Sequence, residues 1–252
     1  MGRWVDHARD TGVDAAKIGV LLVDEPSGGV ADKRILAWAS VIKAAAPEIV
    51  IFEDPRHTDP RNAETPEIFE ICDILCPPMR HYSQRSDDFR AFYQEMTSPT
   101  GQLWFYSCGR GPMTNDAIAH YRAQQWRGWR AGAAGTAFWA YGDAGRAHSS
   151  WNSLAAQSEI YTPVYIDDDS ATDGKHWLGI IEGAEDYEYL RMLRDKIEQL
   201  ETGGQTHANL TAARKVLQSV PDDIITAVEK GDRAACDRGR LAVLDALVSL
   251  GM

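Results

Sequence analysis

The sequence predicts an α/β protein: one unit of alternating strands and helices that passes into a helical C-terminal appendage. Three observations carry that prediction. Short apolar runs recur five times, helical patterns fill the intervals between them, and after Asp143 the alternation gives way to a polar stretch and then to long amphipathic segments. Such alternation is the signature of βαβ units sharing a parallel sheet.

The residues ahead of Ile18 read as one helix. Ile18-Gly19-Val20-Leu21-Leu22-Val23 is nearly all apolar and rich in β-branched residues, as expected of a strand buried on both faces. Pro26 then stops pairing and fixes the exit of the loop. Ala31–Ala46 carries Ile35, Trp38, Ala39 and Ile42 on one helical face and stops before Pro47. The second run, Ile49-Val50-Ile51-Phe52, ends in Glu53-Asp54-Pro55. The third, Asp73-Ile74-Leu75-Cys76, ends in Pro77-Pro78. Ser86-Asp87-Asp88 is a good N-cap region for a helix running to Met96. The fourth run, Leu103-Trp104-Phe105-Tyr106, ends in Ser107-Cys108-Gly109. Asn115–Arg130 spaces Ile118, Tyr121, Gln125, Trp126 and Trp129 as a helix does, with Gly132 beyond its end. The fifth run, Thr136-Ala137-Phe138-Trp139, ends in Ala140-Tyr141-Gly142-Asp143. An irregular stretch from Ala144 to Lys175 holds Trp151 and the short apolar piece Pro163-Val164-Tyr165-Ile166. Three helices are expected after it, at Gly179–Leu200, Ala208–Val220 and Arg233–Leu250, with residues 201–252 forming the appendage to a catalytic unit of residues 1–200.

Bulk properties exclude several classes. A chain of 252 residues can fill one α/β barrel or two small domains. The net charge of −11, from 26 basic and 37 acidic residues, argues against a nucleic-acid partner. No run approaches membrane-spanning length, and the segment from Met1 to His7 has no apolar signal core, so no membrane partner is expected and the compartment stays open. Cys72, Cys76, Cys108 and Cys236 form no Cys-x-x-Cys pair, and the seven histidines show no ligand spacing, so neither a metal nor a cofactor is expected. Asp167-Asp168-Asp169-Ser170-Ala171-Thr172-Asp173-Gly174 fails the calcium-loop pattern at Ala171 and reads as a solvated loop.

Chemistry in parallel sheets and barrels gathers at the carboxyl ends of the strands. Carboxylates mark the first two ends (Asp24-Glu25 and Glu53-Asp54), and aromatic residues mark the last two, among them Tyr106, Trp139 and Tyr141. Two adjacent carboxylates where an apolar run stops serve no packing purpose, because buried charge is costly unless paired. A turn or helix cap is the bland reading of Asp-Glu-Pro. Acids beside aromatic faces suit a sugar site, with rings stacking on apolar sugar faces; plain packing is the competing account of Trp104, Trp126, Trp129 and Trp139.

The string Glu182-Gly183-Ala184-Glu185-Asp186-Tyr187-Glu188-Tyr189-Leu190 is more specific. With Asp24-Glu25-Pro26, Trp104-Phe105-Tyr106-Ser107-Cys108 and Gly135-Thr136-Ala137-Phe138-Trp139-Ala140-Tyr141, it resembles the catalytic-domain family called domain of unknown function 4091, which includes glycoside hydrolase family 123, the β-N-acetylgalactosaminidases. The resemblance runs from about residue 15 to residue 200. It implies a (β/α)8 barrel of the TIM type in which the five runs are the last five strands, so that the N-terminal part of the barrel has no counterpart here. It also implies a glycan substrate ending in an N-acetylhexosamine and substrate-assisted hydrolysis without a cofactor. Glu25 would be the acid/base, and Asp24 would orient the 2-acetamido group whose carbonyl oxygen attacks the anomeric carbon. A neighbouring anion and partial burial are expected to raise the Glu25 pKa. Asp54, His57, Tyr106, Trp139, Tyr141 and Asp143 are the expected substrate contacts, and His148 is a further candidate near the barrel mouth. One stretch departs from the family, which reads Arg-Trp-Glu-Ala-Ile-Arg where this chain has His176-Trp177-Leu178-Gly179-Ile180-Ile181.

Two alternatives stand beside this reading. A conventional retaining glycosidase would pair Glu25 with Glu53 or Asp54 as nucleophile. An inactive carbohydrate-binding or scaffold fragment would account for Leu178 and Ile181 and for the missing strands. An open half-barrel exposes strand edges and an apolar face, so self-association, or a partner supplying the absent half, is expected.

Overall fold

The computed structural model describes residues 2–96, 101–108, 115–142, 150–152, 162–204 and 207–252. It opens with helix α1 (Gly2–Asp10), strand β1 (Gly19–Leu21), helix α2 (Val30–Ala45) and strand β2 (Val50–Glu53). Helix α3 (Glu67–Ile71), strand β3 (Ile74–Leu75), helices α4 (Met79–Gln84) and α5 (Asp87–Met96), and strand β4 (Gln102–Ser107) follow. A π-helical segment at Ala117–Arg122 leads into α6 (Ala123–Arg130), and β5 (Gly135–Phe138) comes next. The chain then forms β6 (Val164–Ile166), β7 (Ala171–Asp173), α7 (Lys175–Thr202), α8 (Leu210–Glu229) and α9 (Ala235–Ser249).

Strands β1 to β5 form one curled sheet in sequence order. The pairs β1–β2, β2–β3 and β3–β4 are parallel, with Gly19 opposite Val50, Phe52 opposite Ile74 and Leu75 opposite Leu103. This is the α/β half-barrel expected of a partial TIM-like fold, and it puts the carboxyl ends of successive strands along one rim. Gly135 is needed where β5 passes β4: a Cβ there would stand 2.5 Å from the Trp104 indole. The strand at β1 differs from expectation. It is three residues long, and Gly19 and Leu21, which share one face, are exposed on a strand at the end of the sheet order.

Two compact units divide the chain. The first comprises Met1–Ser107 with Gly132–Ala137. Its core joins Ile35, Ala39 and Ile42 of α2 to Ile49, Ile51, Leu75, Leu103 and Phe105, all buried. Aromatic pairs continue it, with Phe69 edge-on to Phe92 at 4.9 Å and Tyr82 tilted against Phe105 at 4.5 Å.

The second unit comprises Cys108–Ala131 with Phe138–Met252. Leu190, Leu193 and Ile197 of α7 pack with Trp126 of α6, Ile224 and Val228 of α8, and Val243 and Leu247 of α9. Close approach of α7 to the π-helical segment depends on Gly179 and Gly183, whose Cβ atoms would meet the Ala117 and Arg122 carbonyl oxygens at 2.6 and 2.9 Å. Strands β6 and β7 form an antiparallel hairpin across the Asp167–Ser170 turn. No helix among the described residues is long and apolar enough to cross a membrane.

Candidate active site

Past Leu21 the chain leaves the sheet, and it is the end of β2 that fixes its course. The Glu53 carboxylate accepts the Leu22 N–H at 2.9 Å, Asp54 Oδ1 accepts the Glu25 N–H at 2.8 Å, and the Arg56 N–H donates to the Pro26 carbonyl at 2.8 Å. Under these three ties Glu25 adopts φ 49°, the left-handed region that non-glycine residues rarely enter. Asp24 beside it is exposed.

The left-handed turn aims Glu25 along the rim. Its Oε1 accepts a hydrogen bond from the Tyr106 hydroxyl at the end of β4, and its Oε2 meets Arg56 Nη1 at 2.6 Å. Burial raises the Glu25 pKa, but the Tyr106 hydroxyl and the Arg56 guanidinium outweigh it, so the carboxyl lies below its ordinary value. This corrects the expectation of a raised pKa, which counted burial and the neighbouring Asp24 but not the cation that the β2 loop delivers. Burial and the Glu25 carboxylate push the Tyr106 hydroxyl upward, so it remains a donor. On α4, His81 is held below its ordinary value by burial and by the charges of Arg85, Arg56 and Arg80, and is neutral at pH 7.

Behind this surface lies a layer of buried acids. Glu53 is 2% exposed, and burial pushes its pKa up to about 8 despite backbone N–H bonds from Leu22 and Val23. It is therefore mostly protonated at pH 7. Asp54 is raised to about 6, by burial first and then by the charges of Asp24 and Glu25, against the bond from the Glu25 N–H. Asp32 of α2 is fully buried, with Oδ2 2.8 Å from His57 Nε2. The His57 ring, 4% exposed, also packs edge-on against Phe69 at 5.1 Å.

Four of the expected site residues in the first unit thus have definite places. Glu25 and Tyr106 touch one another, Asp54 holds the Glu25 backbone, and His57 lies buried against Asp32, enclosed where a substrate contact was expected. Trp139 and Tyr141 belong to the second unit, where both are exposed and Tyr141 meets Trp177 edge-on at 5.1 Å. Asp143 and His148 lie outside the described residues. Sequence reasoning missed Arg56 and His81. Arg56 was within reach of it, two residues beyond Asp54 at a strand end already marked as acidic.

The Glu182–Leu190 string lies on α7 in the second unit and builds an ion cluster. Asp186, fully enclosed, accepts from Arg122 Nε at 2.7 Å, Trp126 Nε1 at 2.9 Å and Arg240 Nε at 2.5 Å. Glu182 and Glu185 pair with Arg240 at 2.7 and 3.2 Å. No group of His, Cys, Asp and Glu among the described residues is arranged to hold a metal ion.

A parallel half-barrel with acids along its carboxyl rim belongs to the α/β class of TIM-like folds. Within that class the chain is similar to a family 123 glycoside hydrolase from Clostridium perfringens, whose structural analysis addressed glycolipid glycan hydrolysis. The TM-score is 0.59 at 11% identity, with 98% of this chain and 43% of that one covered. This chain therefore spans less than half the length of that neighbour. No family model matches the chain, and no curated protein matches it.

Proposed function

We propose that this chain is the C-terminal barrel portion of a glycoside hydrolase acting on glycans that end in β-linked N-acetylhexosamine, N-acetylgalactosamine above all. One observation carries the reading: Glu25 is turned by a left-handed backbone so that Tyr106 and Arg56 fix its carboxylate, with Asp24 exposed beside it. The fold likeness to a family 123 glycoside hydrolase supports it.

In the proposed reaction the 2-acetamido oxygen of the sugar attacks its own anomeric carbon, and the Asp24 carboxylate accepts a hydrogen bond from the amide N–H. Protonated Glu25 gives its proton to the departing glycosidic oxygen as that bond breaks. A water then attacks the anomeric carbon and surrenders a proton to the Glu25 carboxylate; the bond from that carbon to the acetamido oxygen breaks, the acetamide re-forms and the hemiacetal product is released. Glu25 must be protonated when the sugar is bound. A sugar that excludes water from the carboxyl and takes over the Arg56 donors raises its pKa in the complex. Asp54 serves in this scheme by holding the Glu25 backbone, and Asp32–His57 by bracing the loop from behind. Trp139 and Tyr141 remain proposed stacking faces, and residues 201–252 a proposed extension of a catalytic unit of residues 1–200.

The alternative nucleophiles fit poorly: Glu53 is sealed and protonated, and Asp54 is engaged by the Glu25 N–H. Glycan binding without turnover is the second reading, favoured by the ion pair that keeps Glu25 charged. Hydrolysis of an aryl β-N-acetylgalactosaminide by this chain and by any longer polypeptide containing it separates the two. Glu25→Gln is expected to lower kcat by about 10²-fold or more, and activity unchanged in that variant overturns the assignment.

A further inference from the structure

The chain that brings Arg56 to Glu25 goes on, two residues later, to form a separate groove with the segment that follows α4. Thr58–Asn62 after β2, Arg85 and Ser86 between α4 and α5, and Asp88 and Phe89 in the first turn of α5 line a cavity of about 430 Å³. Buried Pro60 and Phe89 make its floor, and Arg61, Asn62, Arg85 and Asp88 stand around it. Volumes of this order suit small organic ligands.

Arg85 is the fixed part of the groove. Its guanidinium lies over the Phe89 ring at 5.3 Å, and Nη1 donates to the Thr58 carbonyl at 2.7 Å. Nε is buried within the protein, with no acceptor among the described residues. On the opposite wall Arg61 is steadied by Phe92 at 5.8 Å and by Glu95 at 3.3 Å. Asp59 turns both oxygens inward, onto the Arg61 N–H and the Asn62 amide.

The charges of the lining cancel, with Arg61 and Arg85 against Asp59 and Asp88. A balanced lining in a chain of net charge −11 offers no net attraction to an anion. The Arg61 and Arg85 donors beside the Asp88 carboxylate instead match hydroxyl groups, each of which both donates and accepts. We infer that this groove is a second saccharide subsite, holding a neutral sugar ring of the glycan next to the one cleaved at Glu25. This rests on the glycosidase reading for its place in the reaction, though not for the binding itself.

The test uses the wild-type chain, Arg85→Lys, which keeps the charge but loses the planar fork, and Arg61→Ala at an exposed position. Circular dichroism confirms that each is folded. Calorimetric titration with neutral oligosaccharides ending in β-N-acetylhexosamine should give an affinity about five- to tenfold weaker in each variant. Where hydrolysis occurs, the ratio of kcat/KM for oligosaccharide over aryl glycoside should fall by a similar factor. Equal affinities and an unchanged ratio across the three proteins overturn the subsite and leave the hydrolase reading intact. Wild-type binding that the variants weaken, with neither substrate cleaved by this chain or by a longer polypeptide containing it, refutes the hydrolase reading and supports the subsite. Tighter binding of sulfated or sialylated than of neutral glycans overturns the neutral-sugar assignment.

Discussion

Glu25 is held at both ends, by Asp54 at its backbone and by Arg56 and Tyr106 at its carboxylate, and each contact has its own experimental consequence. Replacing Arg56 with Gln removes a cation that favours the ionised form, so the Glu25 pKa rises. A general acid works only while protonated. The alkaline limb of the kcat/KM profile should therefore move to higher pH in Arg56→Gln, and an unmoved limb would show that Glu25 is not the acid. Glu53 makes a prediction about stability. Its pKa is about 8 in the fold against 4.5 when unpaired, so the folded state holds the proton more tightly. The contribution is complete below pH 4.5 and is lost as pH climbs through 8. Urea titrations at pH 5 and pH 8.5 should show the wild type losing on the order of 4 kcal/mol more than Glu53→Gln, which cannot ionise. At this scale the sequence was informative about composition and silent about direction. The acids at the two strand ends could be read from Asp24-Glu25 and Glu53-Asp54. That Glu25 faces a guanidinium while Glu53 faces the protein interior depends on the course of the loop after β1 and on which side of β2 Glu53 takes, and no spacing rule reports that.

Among the elements, α7 carries the Glu182–Leu190 string in a structural role. Asp186 pairs with two arginines and an indole in a closed environment, so Asp186→Ala leaves Arg122 and Arg240 without their shared anion. Unfolding should cost about 3–5 kcal/mol less than in the wild type. A loss under 1 kcal/mol in chemical denaturation would show the cluster to be solvated. Helix positions were legible because the packed faces repeat at helical spacing: Ala31–Ala46 is observed at Val30–Ala45, and Ser86–Met96 at Asp87–Met96. Local signals misled where packing overrode them. The helix expected to stop at Val220 runs through Pro221 to Glu229, because Ile224, Ile225 and Val228 bury against the α7–α9 core. The segment expected as one helix from Asn115 to Arg130 begins with a π-helical stretch against the glycines of α7. Helices α3 and α4 are too short to show a period in the sequence.

For the molecule as a whole, the first unit presents β1 at the end of its sheet order with Leu21 exposed on it, and Trp38 and Val41 exposed on α2. An uncovered parallel edge beside apolar side chains is a pairing template. Sedimentation velocity should show the 252-residue chain associating as concentration rises, and Leu21→Lys should weaken that association. A monomer at every concentration, in both proteins, would show the edge to be inert. The fold class could be read from the alternation of runs and helices, since that pattern is spread along the chain. The division into two units could not, because Cys108–Ala131 leaves the strand-bearing unit to join the helical one and returns for β5.

The left-handed backbone at Glu25 has a consequence for how such a position tolerates change. Glycine would relieve a conformational cost of about 1–2 kcal/mol there, while an L-residue must be restrained by its surroundings. A thermal screen blind to turnover would thus reward loss of this side chain. Drift toward glycine at residue 25 would mark descendants released from selection on chemistry.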